Sequence, residues 1–88
     1  MVSQKVKIKN ATGLHLRPAG LLCEIAMKYG CKVTFKTADH YEANAKSVLS
    51  VLGACVKSGE EIELVCEGTD ETEALADLVS SIEAGLGE

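Results

Sequence analysis

The first residues of the chain alternate between apolar and polar side chains. Residues 2–9 place Val2, Val6 and Ile8 on one side, while three lysines lie on the other. A period of two residues is typical of a β-strand with one buried face. Similar short segments recur later in the chain, and we predict four strands, at residues 2–9, 31–36, 41–43 and 61–67.

After a turn predicted at residues 10–13, the apolar spacing changes to that of a helix. Apolar side chains recur at three- and four-residue intervals over residues 17–29. Proline is tolerated in the first turn of a helix, and glycine commonly follows the last turn. Pro18 and Gly30 therefore mark the two ends, and this first helix is expected to begin within a residue or two of His15.

Two further helices are predicted in the second half of the chain. Asn44 is a residue type that caps helices, and a short helix after it would carry Val48, Leu49, Val51 and Leu52. Asp70 and Glu73 have the spacing of a capping box, and an apolar stripe follows at Leu75, Leu78, Val79, Ile82 and Leu86. The elements run in the order βαββαβα. Because three amphipathic helices can cover one apolar face of a sheet, we predict an open-faced α/β (α+β) sandwich that forms one domain over residues 1–88.

Composition narrows the possible partners. The chain has 9 Lys plus Arg against 13 Asp plus Glu, a formal net charge of −4, no Trp, one Phe and two Tyr. A nucleic-acid-binding protein is expected to carry a basic stripe or stacking rings, so nucleic acid is not an expected partner. No apolar run approaches the roughly 20 residues of a membrane span. The first residues of the chain are polar and do not resemble a signal peptide. We expect a cytoplasmic protein.

The four cysteines, Cys23, Cys31, Cys55 and Cys66, contain no C-x-x-C pair, and the two histidines are not at the spacing of metal ligands. Each cysteine lies in or beside an apolar pattern, where a reduced cysteine behaves as a small hydrophobic residue. Disulfides are also rare in a reducing compartment. We therefore expect the cysteines to contribute to packing, with no metal site. No glycine-rich cofactor loop or P-loop lysine is present, so no cofactor is expected.

The segment from Gly13 to Pro18 combines a histidine, an arginine and the start of a helix. Unpaired N–H groups and the positive end of the helix dipole make such a start an anion site. Arg17 adds a permanent charge that can hold phosphate oxygens in a fork geometry, and His15 offers a nucleophilic nitrogen. These residues indicate a histidine that can accept and hold a phosphoryl group. They leave another interpretation open, in which His15 only caps the helix and Arg17 is a solvated charge.

Two segments of the chain have the form of known motifs. Residues 13–19 read Gly-Leu-His-Leu-Arg-Pro-Ala, and residues 44–49 read Asn-Ala-Lys-Ser-Val-Leu. The first resembles the active-site signature of the histidine-containing phosphocarrier (HPr) family of the bacterial phosphoenolpyruvate-dependent sugar phosphotransferase system, and the second resembles that family's regulatory-serine segment. The element order, the length and the Gly-Leu-Gly-Glu sequence at residues 85–88 match as well. This resemblance implies a four-stranded antiparallel sheet covered on one face by three helices.

The resemblance also implies a carrier that other enzymes phosphorylate and dephosphorylate, rather than an enzyme. His15 would accept a phosphoryl group from enzyme I, at Nδ1, and pass it to sugar-specific enzyme IIA domains. Arg17 and the backbone N–H groups at the start of the first helix would hold the phosphate. Ser47 would be a regulatory phosphorylation site for an HPr kinase/phosphorylase, linked to a catabolite-control transcription factor. A monomer is expected.

A carrier that docks with several proteins needs an apolar patch beside its acceptor. We expect this patch to consist of Leu16, Val48 and Leu49, with Leu21 and Leu52 as further candidates. A phosphate on Ser47 would add a charge of about −1.5 to −2 and disrupt docking. Ser50 is expected to be an ordinary surface residue.

Three features depart from the family's usual pattern. Leu16 follows the active histidine, where a small residue is usual, so the contacts with partners are expected to differ. The hairpin over residues 37–41 is one residue longer than usual, and His40 is expected to be an exposed turn residue there. Cys55 stands where the family has glycine, so the backbone of the loop after the second helix is expected to differ.

Other functions stay open on the sequence alone. A nitrogen-related paralogue, or the carrier domain of a phosphoenolpyruvate-dependent dihydroxyacetone kinase, would use the same chemistry with other partners. A regulatory binding protein phosphorylated only on serine is a second class, which the presence of His15 disfavours. A third class is a module that binds a small ligand or peptide, but the sequence contains no recognisable cofactor loop to support it. A hydrolase is disfavoured as well, because the sequence places no second catalytic base near His15.

Overall fold

The computed structural model describes residues 1–87 and contains one four-stranded sheet and three helices. In chain order the elements are β1 (Val2–Lys7), α1 (Leu16–Met27), β2 (Lys32–Lys36), β3 (Glu42–Asn44), α2 (Val48–Gly53), β4 (Glu61–Glu67) and α3 (Glu71–Glu83). The strands lie in the order β1-β4-β2-β3, and all neighbouring pairs are antiparallel. The predicted βαββαβα sandwich is confirmed. Glu88, the last residue of the match at residues 85–88, lies outside the described residues.

Strand β4 organises the apolar face of the sheet because it pairs with both β1 and β2. Its Ile62 lies opposite Val6, and its Leu64 lies opposite Phe35. All four side chains are buried, and the residues between them in each strand point to the other face. The predicted alternation is therefore correct. The bounds of three strands differ from the prediction: β1 ends two residues earlier, β2 begins one residue later, and β3 as a whole lies one residue later.

Helix α3 packs against β1 and β4 with a face of small and aliphatic side chains. Ala74, Leu78 and Ile82 on this face are fully buried. The predicted apolar stripe is thus correct as far as Ile82, but the helix ends at Glu83. Leu86 is still buried, and its backbone has a φ of +49°. A left-handed turn after the helix, rather than the helix itself, brings Leu86 to the core.

The polar cap predicted for α3 makes different contacts from those expected. Asp70 is the N-cap residue, but its side chain makes no capping hydrogen bond. Its carboxylate instead accepts the backbone N–H groups of Gly30 at 2.8 Å and Cys31 at 3.0 Å. Glu71, rather than Glu73, accepts a backbone N–H from the chain before the helix. The predicted capping box is wrong because the start of β2 offers Asp70 two donors.

The cap residue of helix α2 lies three residues after the one that the sequence predicts. Asn44 is the last residue of β3, where it lies opposite Thr34. Its Oδ1 accepts the backbone N–H of Lys46 at 3.0 Å and so closes a turn. Ser47 is the N-cap residue, and its hydroxyl oxygen accepts the N–H of Ser50 at 3.2 Å. The prediction of Asn44 as the cap is wrong because sheet pairing keeps that residue in the strand.

The four cysteines are free thiols in different surroundings. Cys31 and Cys66 are buried, as expected, and burial raises the pKa of the Cys66 thiol to about 11. Cys23 is half-buried, and its thiol donates to the carbonyl oxygen of Lys46 at 3.2 Å. Cys55 is exposed. The expectation of packing is therefore wrong for Cys55, because that residue lies in the turn that ends α2 at the surface.

Candidate functional site

The loop between β1 and α1 is fixed by the segment that follows α2. Leu14 donates its backbone N–H to the carbonyl oxygen of Val56 at 2.9 Å. Gly13 has a φ of +68°, and a Cβ atom at this position would lie 2.5 Å from the same Val56 oxygen. Both the left-handed backbone and the close approach require glycine. The Gly-Leu pair therefore determines where α1 begins.

A buried asparagine closes the same loop from within. Asn10 is 4% exposed, and its side-chain nitrogen donates to the carbonyl oxygen of Gly13. The backbone carbonyl of Asn10 also accepts the N–H of Gly13 at 3.0 Å. The sequence predicts a turn here but not the burial of Asn10, because asparagine is mostly an exposed residue.

His15 is the N-cap residue of α1, which agrees with the predicted start of the helix. Its backbone is extended, with φ −76° and ψ −176°, and its carbonyl oxygen accepts the N–H of Ala19 at 2.8 Å. The imidazole makes no capping hydrogen bond and is exposed. The side chain therefore does not serve as a cap, and its ring nitrogens are open to a reacting group.

The first turn of α1 presents donors to any group on His15. The N–H groups of Leu16 and Arg17 have no partner within the helix, because the first such bond is made by Ala19, the fourth residue of α1, and Pro18 has no N–H. Within the described chain, no acidic side chain lies in this first turn. The helix dipole there favours an anion by roughly 0.3–1 kcal/mol. Arg17, the second residue of this turn, is exposed, so this end of α1 can hold a phosphoryl group.

Ser47 lies at the N-cap of α2, whereas a helix capped by Asn44 would have Ser47 in its first turn. Ser47 is half-buried, and its hydroxyl oxygen accepts the N–H of Ser50. The hydroxyl of Ser50 in turn accepts the N–H of Asn44 at 2.8 Å. Ser50, expected as an ordinary surface residue, is therefore half-buried and links α2 to β3. The spacing of residues in the sequence does not reveal the hydrogen bond between Ser50 and Asn44, since that bond depends on where β3 ends.

Two side-chain hydrogen bonds join Lys46, the residue before Ser47, to α1 and to the residues that follow α1. The Nζ atom of Lys46 donates to the carbonyl oxygen of Tyr29 at 2.6 Å. The thiol of Cys23 donates to the carbonyl oxygen of Lys46. These contacts hold α2 against α1. The helices whose N-cap residues are His15 and Ser47 are therefore packed on each other.

The residues of the predicted apolar patch differ in exposure. Leu16 is 62% exposed and Leu49 is 82% exposed. Val48 and Leu21 are half-buried, and Leu52 packs partly against the core. Leu16 and Leu49 are thus the members of the patch with the most apolar surface available to a partner.

Besides Leu86, two other residues within positions 1–87 that are not glycine adopt the left-handed region, each of them in a turn. Cys55 has a φ of +53°, and its N–H donates to the carbonyl oxygen of Leu52 at 3.1 Å, just after α2. His40 has a φ of +66° and is exposed, as expected. Cys55 therefore has the backbone conformation that glycine favours, and the expectation that this loop differs from that of the family stays a prediction.

The groups that this region offers are an imidazole, a guanidinium and backbone N–H groups. Among residues 1–87, no three His, Cys, Asp or Glu side chains come together in a way that could hold a metal ion. Within the same residues, no helix is long and apolar enough to cross a bilayer.

This geometry has close counterparts among known proteins. A family model described as the PTS HPr component phosphorylation site matches residues 2–84. The HPr-like protein Crh of Bacillus subtilis is 37% identical over 83 residues, which cover 94% of this chain and 96% of Crh. The phosphocarrier protein NPr of Klebsiella oxytoca is 36% identical over 87 residues, which cover 99% of this chain and 97% of NPr. The crystal structure of HPr-C-His from Thermoanaerobacter tengcongensis is 39% identical with a TM-score of 0.95, and the match covers 100% of this chain and 98% of that one.

The match to the family model includes every strand and helix and both motifs of the sequence. Members of this family are phosphoryl carriers rather than catalysts. The chain therefore belongs to the HPr family of phosphocarrier proteins.

Proposed function

We propose that the chain is a phosphocarrier of the phosphoenolpyruvate-dependent sugar phosphotransferase system. His15 accepts a phosphoryl group from enzyme I and passes it to sugar-specific enzyme IIA domains. The observation that carries this proposal is the exposed imidazole at the positive end of α1, with no capping hydrogen bond and with Arg17 two residues on. Residues 1–88 would act as one cytoplasmic domain and as a monomer.

The transfer requires positioning and charge more than it requires acid–base chemistry. The lone pair of Nδ1 on His15 forms a bond to phosphorus, while the bond between phosphorus and its donor atom on enzyme I breaks. The N–H groups of Leu16 and Arg17 and the guanidinium of Arg17 stabilise the charge on the phosphoryl oxygens. The same steps in reverse, with enzyme IIA as the acceptor, release the group.

Ser47 is the regulatory position in this proposal. Its hydroxyl caps α2, and Leu49 of the apolar patch lies two residues further on. A phosphate on Ser47 adds a charge of about −1.5 to −2. Docking of a partner on the patch would have to desolvate that charge, so phosphorylation of Ser47 by a kinase would reduce transfer through His15. An HPr kinase/phosphorylase and a catabolite-control transcription factor are the corresponding partners.

Two other roles within the family compete with the sugar role. A serine-phosphorylated regulatory protein without phosphoryl transfer would use Ser47 but would not need His15. A nitrogen-related paralogue would use His15 with different partners. The sugar role is favoured because the chain contains His15 and Arg17 together with the regulatory-serine segment at residues 44–49.

The first test is incubation of the purified chain with phosphoenolpyruvate and a catalytic amount of enzyme I. We expect intact mass to show one added phosphoryl group that acid removes. The group should be absent from His15→Ala and present in His40→Ala, which deletes the other histidine. Absence of any label, together with an acid-stable group on Ser47 from ATP and HPr kinase, would contradict the transfer role and favour the regulatory role.

A second test separates the sugar role from the nitrogen-related role. The phosphorylated chain is mixed with a sugar-specific enzyme IIA domain or with a nitrogen-related enzyme IIA domain, and the rate of loss of the acid-labile group is measured. We expect the sugar-specific domain to take the group faster. The opposite order would favour the nitrogen-related paralogue.

A further inference from the structure

The short turn between β1 and α1 contains a buried polar side chain, that of Asn10. Both hydrogen-bonding groups of the Gly13 backbone are bound by this one residue: the N–H by its carbonyl oxygen and the carbonyl by its side-chain nitrogen. The nitrogen, rather than the oxygen, must face the Gly13 carbonyl, because two oxygens would repel each other. Asn10 thus closes the turn with two hydrogen bonds to Gly13, one through its backbone and one through its side chain.

The other end of this amide is left without a partner. The Oδ1 atom of Asn10 is buried and, within the described residues, has no hydrogen bond. An unpaired buried polar atom costs free energy. The turn itself already has its backbone hydrogen bond from Gly13 to Asn10, and such turns accept many residue types. Fold stability therefore does not by itself explain a buried amide at position 10.

The residue that the amide holds controls the direction of the chain toward His15. Gly13 has the widest conformational freedom of any residue type, and only Leu14 separates it from His15. Because the imidazole makes no capping hydrogen bond, its position depends on the backbone that precedes it and on the start of α1. A change of dihedral angle at Gly13 would move Leu14 and the acceptor together.

We infer that Asn10 is a positioning residue for phosphoryl transfer, which acts by holding the Gly13 carbonyl and so the backbone that presents His15. This inference rests on the proposed role of His15 as the acceptor. Asn10 does not contact the reacting group. Its effect is on the geometry of attack, in which a small displacement of the reacting atoms can lower a rate by orders of magnitude.

The test compares Asn10→Ala and Asn10→Ser with a matched control, Tyr29→Phe. Tyr29 donates its phenol to Asp77 at 2.6 Å, so the control also deletes a side-chain hydrogen bond. It does so at the far end of α1, about 18 Å from His15 for a helix of 12 residues. The maximal rate and the KM of transfer from phosphorylated enzyme I are measured well below the Tm of each variant. The ¹⁵N order parameters of Gly13 and His15 are measured on the same proteins.

For Asn10→Ala we expect a maximal rate at least about tenfold lower, with the KM for enzyme I within about twofold of the wild type. The order parameters of Gly13 and His15 should fall. Asn10→Ser keeps a donor on a shorter side chain, so its maximal rate and order parameters should lie between those of Asn10→Ala and the wild type. If Asn10→Ala does not fold, Asn10→Ser provides the test. Tyr29→Phe should change neither the rate nor these order parameters.

A folded Asn10 variant whose rate is within about twofold of the wild type, and whose order parameters are unchanged, would overturn the inference. An equal loss of rate in Tyr29→Phe would overturn it as well, since the cause would then be general destabilisation. Failure of the wild-type chain to accept any phosphoryl group on His15 would instead contradict the proposed function, and with it any positioning role. The two failures are therefore distinguished by the wild-type reaction.

Discussion

The carboxylate of Asp70 accepts the backbone N–H of Gly30 at 2.8 Å, although 40 residues separate them along the chain. The same carboxylate accepts the N–H of Cys31. These bonds tie the start of α3 to the start of β2. They also hold the pKa of Asp70 below its usual value, because the hydrogen bond from Gly30 stabilises the charged form.

The first prediction is that the stabilisation provided by the hydrogen bonds of the Asp70 carboxylate is lost in acid. The folded pKa of Asp70 is lowered, so its stabilising effect is complete above the unfolded pKa of about 3.9 and disappears as the pH falls through the folded pKa. Asp70→Asn should therefore be less stable than the wild type near neutral pH, and the difference should shrink below about pH 4. Urea unfolding across this range measures it, with the exposed Asp39→Asn as the control. A difference that is independent of pH would contradict the prediction.

The second prediction concerns the phenol of Tyr29. Its hydrogen bond to Asp77, with burial as a smaller cause, raises the pKa of Tyr29 to about 12. The folded state holds this proton more tightly, so the stabilisation is complete below about pH 10 and is lost as the pH rises through the folded pKa. Ultraviolet absorbance should show an ionisation near pH 12 that Tyr29→Phe removes and Tyr41→Phe leaves in place. Persistence of that ionisation in Tyr29→Phe would exclude the assignment.

The features that the sequence predicts well are those whose signals are local. Alternation locates the strands, and Gly13 and Pro18 on either side of His15 locate the start of α1. The polar contacts of Asp70 and Asn44 are different, because their partners are set by strands that meet only in the folded chain. Asp70 has the spacing of a capping residue, yet Gly30 and Cys31 supply its donors. The burial of Asn10 likewise depends on how the loop closes and not on its neighbours in sequence.

The third prediction is that glycine at position 55 stabilises the protein. Cys55 has a φ of +53°, a conformation that costs a residue with a Cβ atom about 1–2 kcal/mol. Glycine avoids this cost but has more freedom in the unfolded chain, which offsets part of the gain. We expect Cys55→Gly to raise the free energy of unfolding by about 0.5–1 kcal/mol, as measured with urea. Cys55→Ala keeps the Cβ atom and is the control. An equal gain in Cys55→Ala would show that the thiol, not the backbone, is responsible.

The fourth prediction separates docking from folding at Leu49. This side chain is 82% exposed, so Leu49→Ser should change the free energy of unfolding by less than about 0.5 kcal/mol. A patch residue that contacts enzyme I should, when replaced, raise the KM for transfer at least about fivefold. The control is Met27→Ser, which replaces an exposed apolar residue at the other end of α1 from His15. Equal KM values in the wild type and Leu49→Ser would remove Leu49 from the docking surface.

The fifth prediction uses Ser47 to separate helix capping from charge. Serine, aspartate and asparagine are all good N-cap residues, whereas alanine at the cap of α2 should cost about 1 kcal/mol of stability. Ser47→Asp and Ser47→Asn should therefore unfold in urea close to the wild type, and Ser47→Ala should unfold earlier. Only Ser47→Asp adds a negative charge two residues from the exposed Leu49, so only it should raise the KM for enzyme I. If the neutral Ser47→Asn weakened transfer as much as Ser47→Asp, the effect would come from the shape of the side chain, and a phosphate on Ser47 could not be said to act through its charge.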